Sequence, residues 1–152
     1  MAKYFDLDGG ANRKSDVDRA DEVLHGVRVL VIDDHEDARR VLGDYLTFMG
    51  ATVTVAASGE EGLIMYRDVL PDVVITDIAM PKVDGYQVAR DLRTAARARR
   101  HRLRIVAVTA FWESHPELRA VRAGFDAWVT KPVKLPALAA LVAKLTRHKR
   151  PG

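Results

Sequence analysis

The chain has 152 residues, 48% of them hydrophobic and 30% charged, with a net charge of +3. That length and balance suit one globular domain with a sizeable core. The absence of cysteine excludes disulfides and thiolate metal sites, no apolar run approaches the ~20 residues of a membrane span, and so small a net charge does not imply nucleic acid.

Residues 1–26 are polar, hold six acids and four bases, and include Gly9-Gly10. They are expected to form a flexible extension, although Val17, Ala20 and Leu24 fall at helical spacing. The opening stretch lacks the apolar run of a signal peptide, so a cytoplasmic protein is expected. A compact domain is expected over 27–146, followed by a basic tail over 147–152.

Within that domain the first predicted strand covers 27–32 and runs into Asp33-Asp34. An amphipathic helix over 37–49 follows, with Ala38, Val41, Leu42, Tyr45 and Phe48 or Met49 on one face. Gly50 closes it. The second strand covers 52–56. Ser58 and Glu61 have the spacing of a capping box, and that helix runs to 69 before Leu70-Pro71. The third strand covers 73–77 and ends on Asp77. The loop Met80-Pro81-Lys82-Val83-Asp84-Gly85 leads into a helix through 98. Seven arginines fall within 90–104, where Asp91 is the single acid. A solvated helix face is the plain explanation of that cluster, and an acidic or nucleic-acid partner is the alternative. The fourth strand covers 104–109, a helix 116–123, the fifth strand 127–130 and the last helix 136–146.

Five strands alternate with five helices, and the strands are nearly continuous apolar runs. Strands covered on both faces read this way. The expected fold is therefore α/β, a doubly wound five-stranded parallel sheet with helices on both faces. Ligands of such sheets bind beyond the carboxyl ends of the strands. Asp33, Asp34, Asp77, Thr109 and Lys131 all lie at such ends.

Each of these residues alone has an ordinary structural explanation. Asp33-Asp34 suits a helix cap, Asp77 a turn, Thr109 a strand end and Lys131 a surface turn. Together they converge on one sheet edge. Three carboxylates in one pocket are costly unless a cation neutralises them. The chemistry that fits is phosphoryl transfer to a carboxylate, with Mg²⁺ offsetting charge on donor and acceptor. A lysine and a hydroxyl then bind phosphoryl oxygens. Such transfer is mostly positioning and electrostatics.

The stretches VLVIDDHEDAR (29–39), DVVITDIAMPKVDGYQVARDLR (72–93), IVAVTA (105–110) and GFDAWVTKPV (124–133) resemble the receiver domain of two-component response regulators, of the single-domain, chemotaxis-receiver kind. The last stretch is also similar to receivers of hybrid histidine kinases. The resemblance implies a flavodoxin-like fold with strand order 2-1-3-4-5. It implies that Asp77 is the phosphoacceptor, and that Asp34, Asp77 and the backbone carbonyl of Ala79 ligate Mg²⁺, with Asp33 acting through metal-bound water. Lys131 would pair with Asp77 and then with the phosphoryl group. Thr109 and Trp128 would be the switch pair, and the Lys131-Pro132 bond would be cis.

Several positions depart from the pattern. Tyr or Phe is more usual than Trp at position 128. Ala79 offers no side-chain polar group to orient water, and Phe111 could shield the phosphoryl group. Slow self-dephosphorylation is therefore expected, and an unchanged half-life in Ala79→Asn and Phe111→Glu would count against it. Lys134 stands where a capping Asp is common, so the last helix is expected to start late. His35 is expected to face solvent, because Mg²⁺ prefers oxygen.

Phosphorylation would reshape the face made by the last two strands and helices, a switch read by a partner. Only six residues follow the last predicted helix, so the donor and the target are expected to act in trans. The donor would be a histidine kinase or a histidine phosphotransfer protein, and the target is an unnamed protein. Beyond catalysing its own phosphorylation and dephosphorylation, the chain is not expected to be an enzyme. The last two helices often mediate dimers in the family, so a homodimer is one expectation. The competing expectation is an interaction module of the same fold that works without phosphorylation.

Overall fold

The computed structural model describes residues 3–4, 23–80, 82–110 and 124–147. In chain order these form β1 (Lys3–Tyr4), β2 (Arg28–Ile32), α1 (Glu36–Phe48), β3 (Thr52–Ala56), α2 (Gly59–Val69), β4 (Val73–Asp77), α3 (Gly85–Ala98), β5 (Arg104–Thr109), β6 (Ala127–Thr130) and α4 (Leu135–Leu145). The helix expected over 116–123 lies outside the described residues.

All strand pairs are parallel, and the sheet runs β1-β6-β5-β4-β2-β3. The five expected strands thus stand in the order 2-1-3-4-5, with one addition. Lys3 and Tyr4 pair with Ala127 and Trp128 and form a sixth strand at the β6 edge. The extension meets the domain a second time at Leu24, which is fully buried and whose N–H donates to the Met49 carbonyl at 2.9 Å. Two parts of the 1–26 stretch are therefore built into the fold.

The strand alternation divides the core in two. Leu30 and Ile32 of β2 enter the layer that holds Val74, Leu92, Ile105 and Trp128. Val29 and Val31 enter the opposite layer, with Ile75, Val106, Leu46 and Leu138. Side chains along a strand point to opposite faces, so an apolar run supplies both layers at once. β4 is central and buried along its whole length.

The helices begin and end for local reasons. Ser58 Oγ accepts the Glu61 N–H at 3.1 Å, while Glu61 Oε2 reaches the Ala57 N–H at 3.5 Å. The reciprocal half of the expected capping box thus reaches one residue earlier than its usual form. Asp84 caps α3 by accepting the Gln87 N–H at 2.9 Å. Gly50 follows α1 at φ 102°, the left-handed region that favours glycine. α1 buries Leu42 and Leu46, with Met49 buried at its C-cap, whereas Val41 and Phe48 are exposed. The expected apolar face is therefore rotated. Spacing alone did not separate two neighbouring stripes, and contact with the sheet chose one. α4 starts at Leu135 with a proline in its first turn and no side-chain cap at Lys134. It does not start late, because Pro136 already has the backbone angle a first turn needs.

Candidate functional site

The topology carries the chemistry-bearing residues to one edge. Asp33 and Asp34 follow β2, Asp77 ends β4, Thr109 ends β5 and Lys131 follows β6. Register fixes their depth: Ile32 is level with Thr76, Asp77 with Val108, and Thr109 with Thr130. Asp33, Asp77 and Thr109 are buried, at 2%, 5% and 0% exposure.

Lys131 is the hub. Its Nζ donates to Asp77 Oδ2 at 2.9 Å and lies 3.5 Å from Asp33 Oδ2. Its own N–H donates to the Thr109 carbonyl at 2.9 Å, which ties the β6 end to the β5 end. The Lys131-Pro132 bond is cis, as expected. Burial pulls the Lys131 ammonium pKa down, but the hydrogen bond to Asp77 and the charges of Asp77 and Asp33 more than reverse this, leaving it raised.

Asp77 is fixed through both oxygens, with Oδ1 accepting the Ala79 N–H at 3.0 Å. Its carbonyl side is equally constrained. Gly85 starts α3 with its N–H on the Ile78 carbonyl at 2.9 Å, and a Cβ there would strike the Asp77 carbonyl oxygen and come within 2.6 Å of the Ile78 Cα. The loop after Asp77 can fold back this closely because residue 85 has no side chain.

Asp33 Oδ1 accepts the His35 N–H at 2.9 Å. The His35 ring is largely exposed, as expected, yet its Nδ1 lies 3.4 Å from Asp33 Oδ1 and 3.2 Å from Asp34 Oδ1. Oxygens of Asp33, Asp34 and Asp77 and a His35 nitrogen all lie within 4.8 Å of one another. Asp34 Oδ1 is buried and accepts no hydrogen bond from the described residues. Only a protonated His35 ring would pair with that oxygen, so a close cluster of carboxylate oxygens that lacks hydrogen-bond donors at one of them fits a hard cation, and Asp33, Asp34 and Asp77 could hold one.

Trp128 sits mid-β6 and is buried at 2% exposure, with no hydrogen-bond partner for its Nε1 among the described residues. Phe111 lies outside the described residues.

Two supports escaped the sequence reading. Arg39 donates to the Asp33 carbonyl at 2.9 Å and braces the acid pair. Asp126 accepts Arg93 Nη2 at 2.9 Å, Arg104 Nη1 at 3.3 Å and the Ile105 N–H at 2.7 Å, which locks α3 and β5 to the start of β6. Arg93 and Arg104 looked like members of a surface cluster. Only the fold brings Asp126 to them.

The family model for the response regulator receiver domain matches residues 29–143. The chain belongs to this family. It is a receiver domain of the kind found in two-component response regulators, whose signalling runs through phosphorylation of an aspartate. The receiver is 35% identical over 121 residues to the probable transcriptional regulator ycf27 of Porphyra purpurea, covering 80% of this chain and 48% of that protein. It is 33% identical over 119 residues to the sensor histidine kinase AtsR of Burkholderia thailandensis, covering 78% of this chain and 20% of that protein. The receiver thus spans about half the length of the ycf27 relatives and a smaller share of the kinase. Among solved structures, a putative response regulator from Chloroflexus aurantiacus aligns with TM-score 0.71 and 27% identity over 80% of this chain and 98% of that one. A two-component response regulator from Clostridium difficile aligns with TM-score 0.74 over 82% of this chain and 99% of that one; at 24% identity it supports the fold alone. Among the described residues, no helix of the receiver is long and apolar enough to cross a membrane.

Proposed function

We propose that the chain is a cytoplasmic phosphorylation switch in a phosphorelay, with Asp77 as its phosphoacceptor. The supporting observation is the position of Asp77. It is buried, held by the Ala79 N–H and the Lys131 ammonium, and stands beside Asp34 Oδ1, which lacks a hydrogen-bond partner among the described residues. An Asp77 carboxylate oxygen attacks the phosphorus of a phosphohistidine on a histidine kinase or phosphotransfer protein. An O–P bond forms and the P–N bond breaks, leaving the electron pair on the donor imidazole. Asp34, Asp77 and the Ala79 carbonyl, with Asp33 in support, would hold Mg²⁺, and the bound ion would offset the charge of the phosphoryl oxygens.

Lys131 then exchanges a carboxylate oxygen for a phosphoryl oxygen, and the Thr109 hydroxyl turns to donate to another. Because the Lys131 N–H holds the Thr109 carbonyl, movement at the β5 end is passed directly to β6. The Trp128 indole is buried in this structure, so its part in the switch would be a shift within the core layer rather than a swing from solvent. The readout is a changed face near β6 and α4, recognised by a downstream protein. The chain acts as acceptor and switch, and its only chemistry is its own phosphorylation and dephosphorylation.

Beryllofluoride with Mg²⁺ tests the proposal through tryptophan fluorescence and amide chemical shifts. A change in the wild type that disappears in Asp77→Asn supports it. A protein that responds to neither beryllofluoride nor acetyl phosphate is instead a phosphorylation-independent interaction module.

A further inference from the structure

The seven arginines of 90–104 separate into two groups. Arg93 and Arg104 are bound to Asp126, and Arg93 Nη1 also donates to the Leu103 carbonyl at 2.8 Å. Arg90 donates to Gln87 Oε1 at 2.8 Å. Arg97, Arg99, Arg100 and Arg102 are exposed and have no ion pair among the described residues. Four guanidiniums within six residues repel one another, and a solvated helix end does not require them.

The backbone beneath them is held firmly. The His101 N–H donates to the Ala96 carbonyl at 2.8 Å, the closure that ends α3. The His101 ring packs against Tyr66 at a centroid distance of 5.6 Å, with the Tyr66 hydroxyl 2.7 Å from His101 Nδ1. Arg100 occupies the left-handed region at φ 53°, where glycine is the favoured residue. Leu70 is also left-handed, at φ 48°, but its side chain is partly buried against the core, so packing explains the choice. The exposed Arg100 side chain has no such packing. The closure by the His101 N–H itself takes up this left-handed backbone, as exposed Lys82 also does at φ 66°, and it leaves the Arg100 side chain exposed.

We propose that residues 97–102 form a docking platform for an acidic segment of a partner protein. Arginine throughout, with no lysine in the run, suits bidentate binding of carboxylates. The rigid turn presents these groups at low ordering cost. A duplex partner fits less well, since affinity for a duplex rests mainly on neutralising phosphates and falls with salt, and this run offers four guanidiniums for them. The run contains no Phe, Tyr or Trp, and its His101 ring is packed against Tyr66, so it offers little for stacking on single strands. The platform precedes β5 and the phosphorylation site follows it. At ~3.3 Å per residue, the six-residue strand keeps them well apart. Docking here therefore leaves the site open to its donor.

The test uses the full chain and a fluorescein-labelled oligoglutamate peptide, followed by anisotropy at low and physiological salt. Changing Arg97, Arg99, Arg100 and Arg102 together to Gln should weaken binding roughly tenfold or more, from four charge contacts. A charge-matched control, Arg40, Arg67, Lys144 and Arg147 to Gln, should change it less than about twofold. Arg100→Gly should raise the thermal midpoint while weakening the peptide. Equal loss in the control overturns the proposal. So does tighter binding of duplex DNA of matched charge, or an Arg100→Gly variant with unaltered affinity.

Discussion

Replacing Lys131 by Met removes the single ammonium that stands between two buried carboxylates. At an effective dielectric of about 20, a contact of 2.9 Å corresponds to roughly 6 kcal/mol of gross attraction. Desolvation of the pair offsets much of it. Breaking a fully buried pair costs about 3–5 kcal/mol, because the remaining charge is stranded. Lys131 retains 25% side-chain exposure, so about 2–3 kcal/mol is expected, read as a lower urea midpoint at neutral pH in EDTA. The acid cluster then lacks its internal cation, so Mg²⁺ should bind the variant more tightly and restore more stability than it gives the wild type. Saturation at a hundredfold over Kd contributes about 2.7 kcal/mol by linkage. The raised Lys131 pKa fixes the sign of the pH dependence. Its contribution is complete below the unfolded value and is lost as pH rises through the folded one. The gap between wild type and variant should therefore close above about pH 10.4. A Lys131→Met protein with the wild-type midpoint, equally indifferent to Mg²⁺, would refute the reasoning.

Gly85→Ala should cost about 1–3 kcal/mol by overpacking, since the new Cβ meets backbone at Asp77 and Ile78 rather than a flexible side chain. It should slow acetyl phosphate labelling out of proportion to the stability lost, measured on protein that is fully folded. Asp126→Ala strands Arg93 and Arg104 and frees the Ile105 N–H, so calorimetry should show a loss of about 2–4 kcal/mol. Burial raises the Tyr66 pKa, with Arg99 and Arg93 pulling partly back. Its neutral form is therefore favoured by folding, and stability should fall as pH rises from about 10 through the raised value. Tyr66→Phe should lessen that fall; an identical alkaline limb in both proteins would exclude Tyr66 as its source.

The basic run shows where sequence reading stops. Seven arginines between 90 and 104 look alike in one dimension. Their roles differ because Asp126, more than twenty residues beyond Arg104 in the chain, sits beside two of them in space. The rotated face of α1 has the same origin. Its pattern offers two apolar stripes, and the sheet accepts the one through Leu42, Leu46 and Met49. The short strand at Lys3–Tyr4 has no local signal at all. Two residues carry no periodicity, and they become a strand because β6 offers an edge.

The sequence by itself determined the alternation of strands and helices, and its resemblance to the receiver family implied the sheet order. Short, β-branched apolar runs bounded by turns fit strands covered on both faces, and right-handed crossovers place helices on either side of them. It also placed Asp33, Asp34, Asp77, Thr109 and Lys131 at one edge, since parallel strands bring their carboxyl ends together. Only the tertiary structure decided how those groups share charge. Lys131 bridges Asp77 and Asp33, while the buried Asp34 oxygen has only the His35 ring nitrogen, at 3.2 Å, beside it. Whether a carboxylate is paired depends on the distance and angle to its donor. Register and packing set such distances, and neither is written in residue types alone.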